Sequence, residues 1–110
     1  MNEAAVKKTL GLISLCRRAG KLCTGMEAVL EKAERGEAAL ILLAEDLSLR
    51  SAERLRNRLP EETPVRSFPC TMQTLSEVTG KAAGIIAVCD ENFACGIRAT
   101  LSDEEEDLDR

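Results

Sequence analysis

Two uninterrupted apolar runs place the strongest constraint on the fold of this 110-residue chain. The segments "AALILLAED" (residues 38–46) and "GIIAVCD" (residues 84–90) each have the length of a β-strand. Neither shows the apolar–polar alternation of a strand that faces water on one side, and such runs are typical of strands covered on both faces. We therefore predict that the first segment is a central strand and the second another buried strand of a sheet packed between two layers of helices.

The rest of the chain alternates between helix signals and shorter strand signals. Apolar residues at helical spacing, capping residues and terminal glycines predict five helices, over residues 3–19, 24–35, 48–59, 71–80 and 92–101. Two shorter strands are expected, in "KLCT" and "PVRSF". This alternation with short connections predicts the α/β class, as a single domain with the three-layer α/β/α sandwich architecture.

Several predicted helix starts depend on particular residues. Thr24 and Glu27 have the T-x-x-E spacing of a capping box, which would start the second helix. Ser48 is expected to cap the third helix, and Thr71 or Thr74 the fourth.

The third predicted helix has two different faces. Its apolar stripe is expected to consist of Leu49, Ala52, Leu55 and Leu59. Its basic row, with a spacing of four residues, consists of Arg50, Arg54 and Arg58. The acidic pair Glu45–Asp46 precedes this helix and is interpreted as stabilising the positive end of its dipole.

The net charge of the chain is unevenly distributed. Residues 102–110 ("SDEEEDLDR") carry six acids and one base, a net charge of −5, whereas the whole chain carries −4. Residues 1–101, which are therefore close to neutral, are expected to form the folded domain, and residues 102–110 an acidic flexible tail. Bulk charge does not indicate a nucleic-acid partner, and only two aromatic residues are present, too few for the stacking platforms of single-strand binders.

The residue types exclude several kinds of catalytic site. The chain contains no histidine, which removes Ser-His-Asp and Cys-His catalysis, and its five cysteines include no C-x-x-C pair. We expect reduced, mostly buried thiols in a cytoplasmic protein, with no catalytic residue, no metal, no cofactor and no membrane partner. A reactive thiolate at Cys23, close to Lys21 and a helix start, is the enzymatic alternative.

The segment "RRAGKLCTG" (residues 17–25) concentrates positive charge just before the second predicted helix. A nucleotide-binding phosphate loop needs glycine where the chain has Leu15, and Ser or Thr where it has Leu22. With the phosphate loop excluded, the segment is interpreted as a helix start with unpaired amides, where Gly25 leaves room for another backbone to approach. The segment therefore predicts a contact between Gly25 and the backbone of an RNA.

Two long segments resemble a known family. They are "GLISLCRRAGKLCTGMEAVLEKAERGEAALILLAEDLS" and "TLSEVTGKAAGIIAVCDENFACGI", and they are similar to the kink-turn RNA-binding ribosomal family of the large-subunit proteins seven-Ae and thirty-e, in particular to its small bacterial YlxQ-type members. The resemblance covers residues 8–100. It implies an α/β/α sandwich around a mixed four-stranded sheet and a non-enzymatic, ribosome-associated protein that binds structured RNA and has no small-molecule substrate.

The resemblance also implies a set of site residues. The family grips its RNA with a Gly-x-Asn-Glu-x-x-Lys motif at the start of the second helix, and with the loop after the fourth. Gly25 matches the glycine, but Glu27, Ala28 and Glu31 occupy the other three positions. Because an ionised acid only accepts hydrogen bonds and repels phosphate, tight binding of a standard kink-turn is predicted to be impaired. The candidate RNA-binding residues are Lys21, Thr24, Gly25, Met26, Glu27, Ala28, Glu31, Lys32, Lys81, Ala82 and Ala83.

The alternative function is a protein–protein interaction module of the same fold that has lost kink-turn recognition. Its contact surface would be the arginine row of the third helix or the acidic tail. The two functions differ in their salt response, because phosphate contacts weaken steeply as salt rises and apolar contacts do not.

Overall fold

The computed structural model describes the backbone of residues 3–108 and the side chains of residues 3–101. Along this part of the chain five helices alternate with four strands, as predicted. The helices are α1 (Glu3–Arg18), α2 (Met26–Glu34), α3 (Leu49–Arg58), α4 (Met72–Thr79) and α5 (Glu91–Leu108). The strands are β1 (Leu22–Thr24), β2 (Leu40–Ala44), β3 (Val65–Phe68) and β4 (Ile85–Val88).

The four strands form one mixed sheet in the order β1-β4-β2-β3. β4 runs antiparallel to both β1 and β2, whereas β2 and β3 are parallel. Every residue of β2 and β4 is buried, which confirms that both apolar runs form buried strands. The sheet order confirms the central position predicted for β2 and shows that β4 is central as well. The mixed four-stranded sheet implied by the family resemblance is therefore present.

The two faces of the sheet are covered by different helices. Leu40 and Leu42 of β2 point into a core cluster that also contains residues of α1, α4 and α5. Ile41 and Leu43 point the other way, into a cluster with α2 and α3. Successive residues of a strand face opposite sides, so β2 contributes to both cores, and the predicted three-layer sandwich is confirmed.

The predicted apolar stripe of α3 is wrong at one position. Leu55 is fully buried, but 83% of the Leu49 surface is exposed. At about 100° per residue, six residues place Leu49 some 120° away from Leu55 around the helix. Leu49 therefore lies on the flank of α3 and not on the side that packs against the sheet.

The predicted capping box of α2 does not form. Thr24 is the last residue of β1 and pairs with Ile86, and Gly25 is the cap residue of α2, with no side-chain hydrogen bond to the helix. Because strand pairing holds Thr24 in the sheet, the helix begins one residue later than a Thr24–Glu27 box requires.

The caps of α3 and α4 agree with the sequence. Ser48 Oγ accepts a hydrogen bond from the Ser51 amide at 3.1 Å, and Thr71 Oγ1 accepts one from the Thr74 amide at 3.2 Å. Asp46 stabilises a different helix from the one expected, since its Oδ1 accepts from the Met72 amide of α4 at 2.9 Å. The parallel strands β2 and β3 end at the same edge of the sheet, which brings Asp46 to the start of α4.

α5 is longer than predicted. Asp90 Oδ1 accepts from the Phe93 amide at 3.1 Å near its start, and the helix continues past the expected end at Leu101 to Leu108. The segment expected to be a flexible tail therefore begins as part of this helix. Its last residues, 109 and 110, lie outside the described residues, and its flexibility stays a prediction.

Candidate functional site

The two segments expected to act together lie side by side at one edge of the sheet. The Gly25 amide, at the start of α2, donates to the Ile85 carbonyl at 2.9 Å, and the Ala44 amide donates to the Gly84 carbonyl at 2.9 Å. These bonds hold the end of β1, the end of β2 and the loop 80–84 together. We call residues 25–28 and 81–82 the Gly25 surface.

Gly25 has a backbone conformation that requires glycine. Its φ of 91° and ψ of 151° fall in a region that side-chain-bearing residues rarely adopt. A Cβ built at this position would meet no heavy atom within 4 Å. The surface above Gly25 is therefore open, and any other residue there would be strained even though there is space for it.

The first amides of α2 have no acceptor among the residues that the structure describes. Within the described residues, the N–H groups of Met26, Glu27 and Ala28 make no hydrogen bond, and Gly25 supplies no side chain to cap them. The starts of α3, α4 and α5, in contrast, all receive side-chain oxygens. The start of α2 thus presents unpaired donors and the positive end of a helix dipole, which suits an anionic ligand.

The two acids of α2 that stand at family positions are both paired with arginines. Arg58 Nη1 of α3 lies 3.2 Å from Glu27 Oε2, and Arg35 Nη2 lies 3.1 Å from Glu31 Oε1. All four side chains are largely exposed, so each pair contributes little to stability. The pairs do reduce the repulsion that a phosphate would meet at Glu27 and Glu31.

The predicted basic residues are not all at the Gly25 surface. Lys81 is exposed in the loop 80–84, whereas Lys32 lies 3.5 Å from Glu37 Oε1 near the end of α2. The Lys21 carbonyl accepts from the Cys89 amide at 2.8 Å, at the opposite end of β1 from Gly25. Four extended residues span about 13 Å, so Lys21 is separated from Gly25 by the length of the strand.

The small residues of the loop 80–84 differ in their exposure. Ala82 is exposed, but Ala83 is only 8% exposed and belongs to the core cluster on the α1, α4 and α5 side. Of the two methyl groups, only that of Ala82 is available to a ligand.

Arg17 supports this loop in a way that the sequence does not indicate. Its Nη1 donates to the Val78 carbonyl at 3.3 Å, and a Cβ at Gly80 would lie 2.5 Å from its Nη2. Gly80 also has a left-handed φ of 78° at the end of α4. The guanidinium of Arg17 therefore packs against the glycine that begins the loop.

The surroundings of Cys23 do not favour a reactive thiolate. Burial is the largest cause that raises the pKa of Cys23, and the positive charge of Lys32 only partly opposes it. Burial also raises the pKa of Cys16 to about 11. The enzymatic alternative needs a lowered pKa at Cys23, so the raised value does not support it. Within the described residues the cysteines are free thiols, and no three donor side chains are arranged to hold a metal ion.

No stretch of helices α1–α5, as far as residue 108, combines the length and the hydropathy of a membrane span.

The sequence is similar to that of known proteins. A family model, that of the ribosomal protein L7Ae/L30e/S12e/Gadd45 family, matches residues 7–97. The RNA-binding protein YlxQ of Enterococcus faecium is 28% identical over 98 residues, which cover 86% of this chain and 91% of that protein.

Two solved structures share the fold. A Bacillus halodurans protein of unknown function is 28% identical, with a TM-score of 0.79 over 86% of this chain and 97% of its own. The 15.5 kD RNA binding protein of Giardia lamblia superposes with a TM-score of 0.73 over 96% of this chain and 92% of its own, at 15% identity. Since the family model spans most of the sequence and the architecture agrees with it, the chain belongs to the ribosomal protein L7Ae/L30e/S12e/Gadd45 family.

Proposed function

We propose that this protein binds structured RNA through the Gly25 surface, as a binding protein without catalytic activity. The observation that carries the proposal is the open, uncapped start of α2, where three unpaired amides lie next to Gly25. Phosphate oxygens are the acceptors that such a helix start favours. The similarity to a protein named as RNA-binding, over most of both chains, supports the same ligand.

The RNA is expected to be a structured, kink-turn-like element of ribosomal RNA. We expect this protein to bind it more weakly than a protein with the complete family motif binds a standard kink-turn. Glu27 and Ala28 cannot donate from their side chains to base edges as an asparagine does. The α2 amides and Lys81 can contact phosphates without a side-chain donor at these two positions, because contacts to the backbone and contacts to bases are separate tasks. We therefore expect binding that depends on RNA shape more than on base identity.

The test is a fluorescence anisotropy titration of a kink-turn hairpin and of a matched hairpin without the kink. The first variant is Gly25→Ala, which places a methyl group on the open surface and strains the backbone. Its control is Gly36→Ala at the other end of α2, where φ is also positive (73°) and a Cβ would also meet no atom within 4 Å. Thermal midpoints of both variants show how much of any effect is loss of fold.

We expect Gly25→Ala to weaken RNA binding about tenfold or more, and Gly36→Ala to leave it close to wild type. Lys81→Glu should weaken binding as well, whereas Lys8→Glu on the exposed side of α1 should not. Equal binding by the Gly25 and Gly36 variants, or no binding of either RNA by the wild type, would contradict the proposed function.

A protein-binding function is the second candidate, and one observation favours it. Leu49 is highly exposed beside a groove of about 380 Å³ between α3 and β3, which Leu47 and Ala52 also line. Apolar contacts of this kind persist at high salt, whereas phosphate contacts do not. A cellular partner that is retained at about 500 mM salt and lost in Leu49→Asp would support this candidate.

A further inference from the structure

The exposed face of α3 carries the densest positive charge of any helix described here. Its sequence, "LRSAERLRNR", contains four arginines and one glutamate. Arg50, Arg54 and Arg58 are spaced by four residues, so they lie in one row along about 12 Å of the helix. We call these three residues the arginine row.

Ion pairs among the described side chains account for only one member of this row, Arg58. Arg50 lies in the first turn of α3, where the helix dipole disfavours positive charge and no acid is present. Like charges four residues apart also repel each other, and the row contains two such pairs. Among residues 3–101, neither Arg50 nor Arg54 forms an ion pair. No ion pair among these residues therefore offsets the repulsion at Arg50 and Arg54, and a polyanion would relieve it.

The end of α3 contacts the Gly25 surface, and the segment before its start contacts the loop 80–84, part of which belongs to that surface. Just before its start, Leu47 packs so closely on the loop 80–84 that a Cβ at Gly84 would lie 3.0 Å from its Cδ1. At its end, Arg58 pairs with Glu27 in the first turn of α2. A strand of RNA bound at the Gly25 surface therefore needs only to continue along α3 to reach the row.

The chemistry of the row fits phosphate better than a protein surface. Guanidinium groups bind phosphate oxygens with two parallel hydrogen bonds. The apolar side chains of α3 lie elsewhere, since Leu55 is buried and Leu49 faces the groove beside β3. The row thus lacks the apolar centre that protein interfaces have.

We propose that Arg50, Arg54 and Arg58 form a phosphate-binding track that extends the Gly25 surface along the backbone of a bound RNA. Arg58 exchanges its carboxylate partner Glu27 for a phosphate when RNA binds. The exchange is accessible because the pair is solvent-exposed, with 47% of the Arg58 side chain and 76% of the Glu27 side chain in contact with water. The track rests on the proposed RNA-binding function and predicts contacts that are independent of RNA sequence.

The experiment compares Arg50→Gln/Arg54→Gln with the charge-matched control Lys7→Gln/Lys8→Gln, whose exposed positions lie on α1 in the other helical layer. The probe is a kink-turn hairpin with an extended stem, titrated between about 50 and 200 mM salt. We expect the arginine variant to bind roughly tenfold more weakly and to lose about two units of the slope of log K against log salt. Its thermal midpoint should rise on the order of 2 °C, because two repulsive pairs are removed.

The outcomes separate this inference from the proposed function. If Gly25→Ala weakens binding while the arginine variant keeps the affinity and salt slope of the wild type, the track is wrong and the Gly25 surface stands. An equal loss of slope in the lysine control also overturns the track, because bulk charge would explain it. If the wild type binds no RNA, the proposed function fails, and the track fails with it. Weaker binding together with higher thermal stability, in the arginine variant alone, supports the track.

Discussion

Arg58 Nη1 lies 3.2 Å from Glu27 Oε2, across 31 residues of sequence, and this contact joins the end of α3 to the first turn of α2. Glu27 stands where the family resemblance implies an asparagine that contacts RNA. The structure therefore combines an unfavourable residue at the Gly25 surface with the cation that neutralises it. An exposed ion pair of this kind contributes at most about 1 kcal/mol, so its main effect is on the local charge.

Replacing Glu27 by Gln should strengthen RNA binding. The substitution removes a negative charge from the Gly25 surface and releases Arg58, and we expect a several-fold tighter kink-turn complex at low salt. Stability should fall by less than about 1 kcal/mol, since only an exposed pair is lost. Anisotropy titration measures the affinity, and Glu34→Gln, an exposed position on the same helix, is the control for net charge. Equal affinities for the two variants would show that Glu27 does not face the RNA.

Leu55 and Leu49 of α3 should contribute very differently to stability, because one is buried and the other exposed. Leu55→Ala should destabilise the protein by about 2–5 kcal/mol, because a fully buried leucine leaves a cavity. Leu49→Ala, on the same helix, should change stability by less than about 0.5 kcal/mol. Urea denaturation measures both, and a large loss in the Leu49 variant would mean that this side chain is packed.

A hydrogen bond between two buried threonines joins α1 to α5. The hydroxyls of Thr9 and Thr100 lie 2.7 Å apart across 91 residues of sequence, and both residues are almost fully buried. Thr9→Val should cost about 1 kcal/mol, since Thr100 loses the Thr9 hydroxyl but keeps its own hydrogen bond to the Ile97 carbonyl at 2.7 Å. The double variant Thr9→Val/Thr100→Val should cost less than the sum of the two single variants, because the hydrogen bond between the two helices is lost only once. A double-mutant cycle by urea denaturation checks this, and strict additivity would contradict it.

Burial of Cys16 predicts a loss of stability in alkaline solution. The folded protein raises the pKa of this thiol from 9.0 to about 11, so between these values the unfolded chain releases the proton first. The contribution of the neutral Cys16 thiol to the free energy of unfolding should therefore be fully present below about pH 9. It should fall by up to roughly 2–3 kcal/mol as the pH approaches 11. Urea midpoints at several pH values measure the decline. Cys16→Ala should reduce it, and the difference between the two proteins isolates the thiol from other titrating groups.

Much of the fold could be predicted from local patterns along the chain. The uninterrupted apolar runs of β2 and β4 predict burial on both faces, and Ser48 and Thr71 mark helix starts, because these signals depend on residues close in sequence. The capping box of Thr24 failed for a tertiary reason, since pairing with Ile86 holds that residue in the sheet. The prediction that Leu49 belongs to the apolar stripe was wrong because Leu49, six residues before Leu55, lies on a different side of the helix from the one that packs on the sheet.

The sequence by itself determined the order of the elements, the two buried strands, and the glycine at the start of α2. Only the tertiary structure decided which charges lie together. It brings Arg58 to Glu27 and Arg17 to Gly80, it separates Lys21 from the Gly25 surface by the length of β1, and it turns Ala83 into the core. Hydrophobic periodicity indicates which face of a helix or strand a residue lies on. A contact between side chains that are distant in sequence depends on how whole helices and strands pack against one another. For this reason the surface at the start of α2 was predictable, and its charge was not.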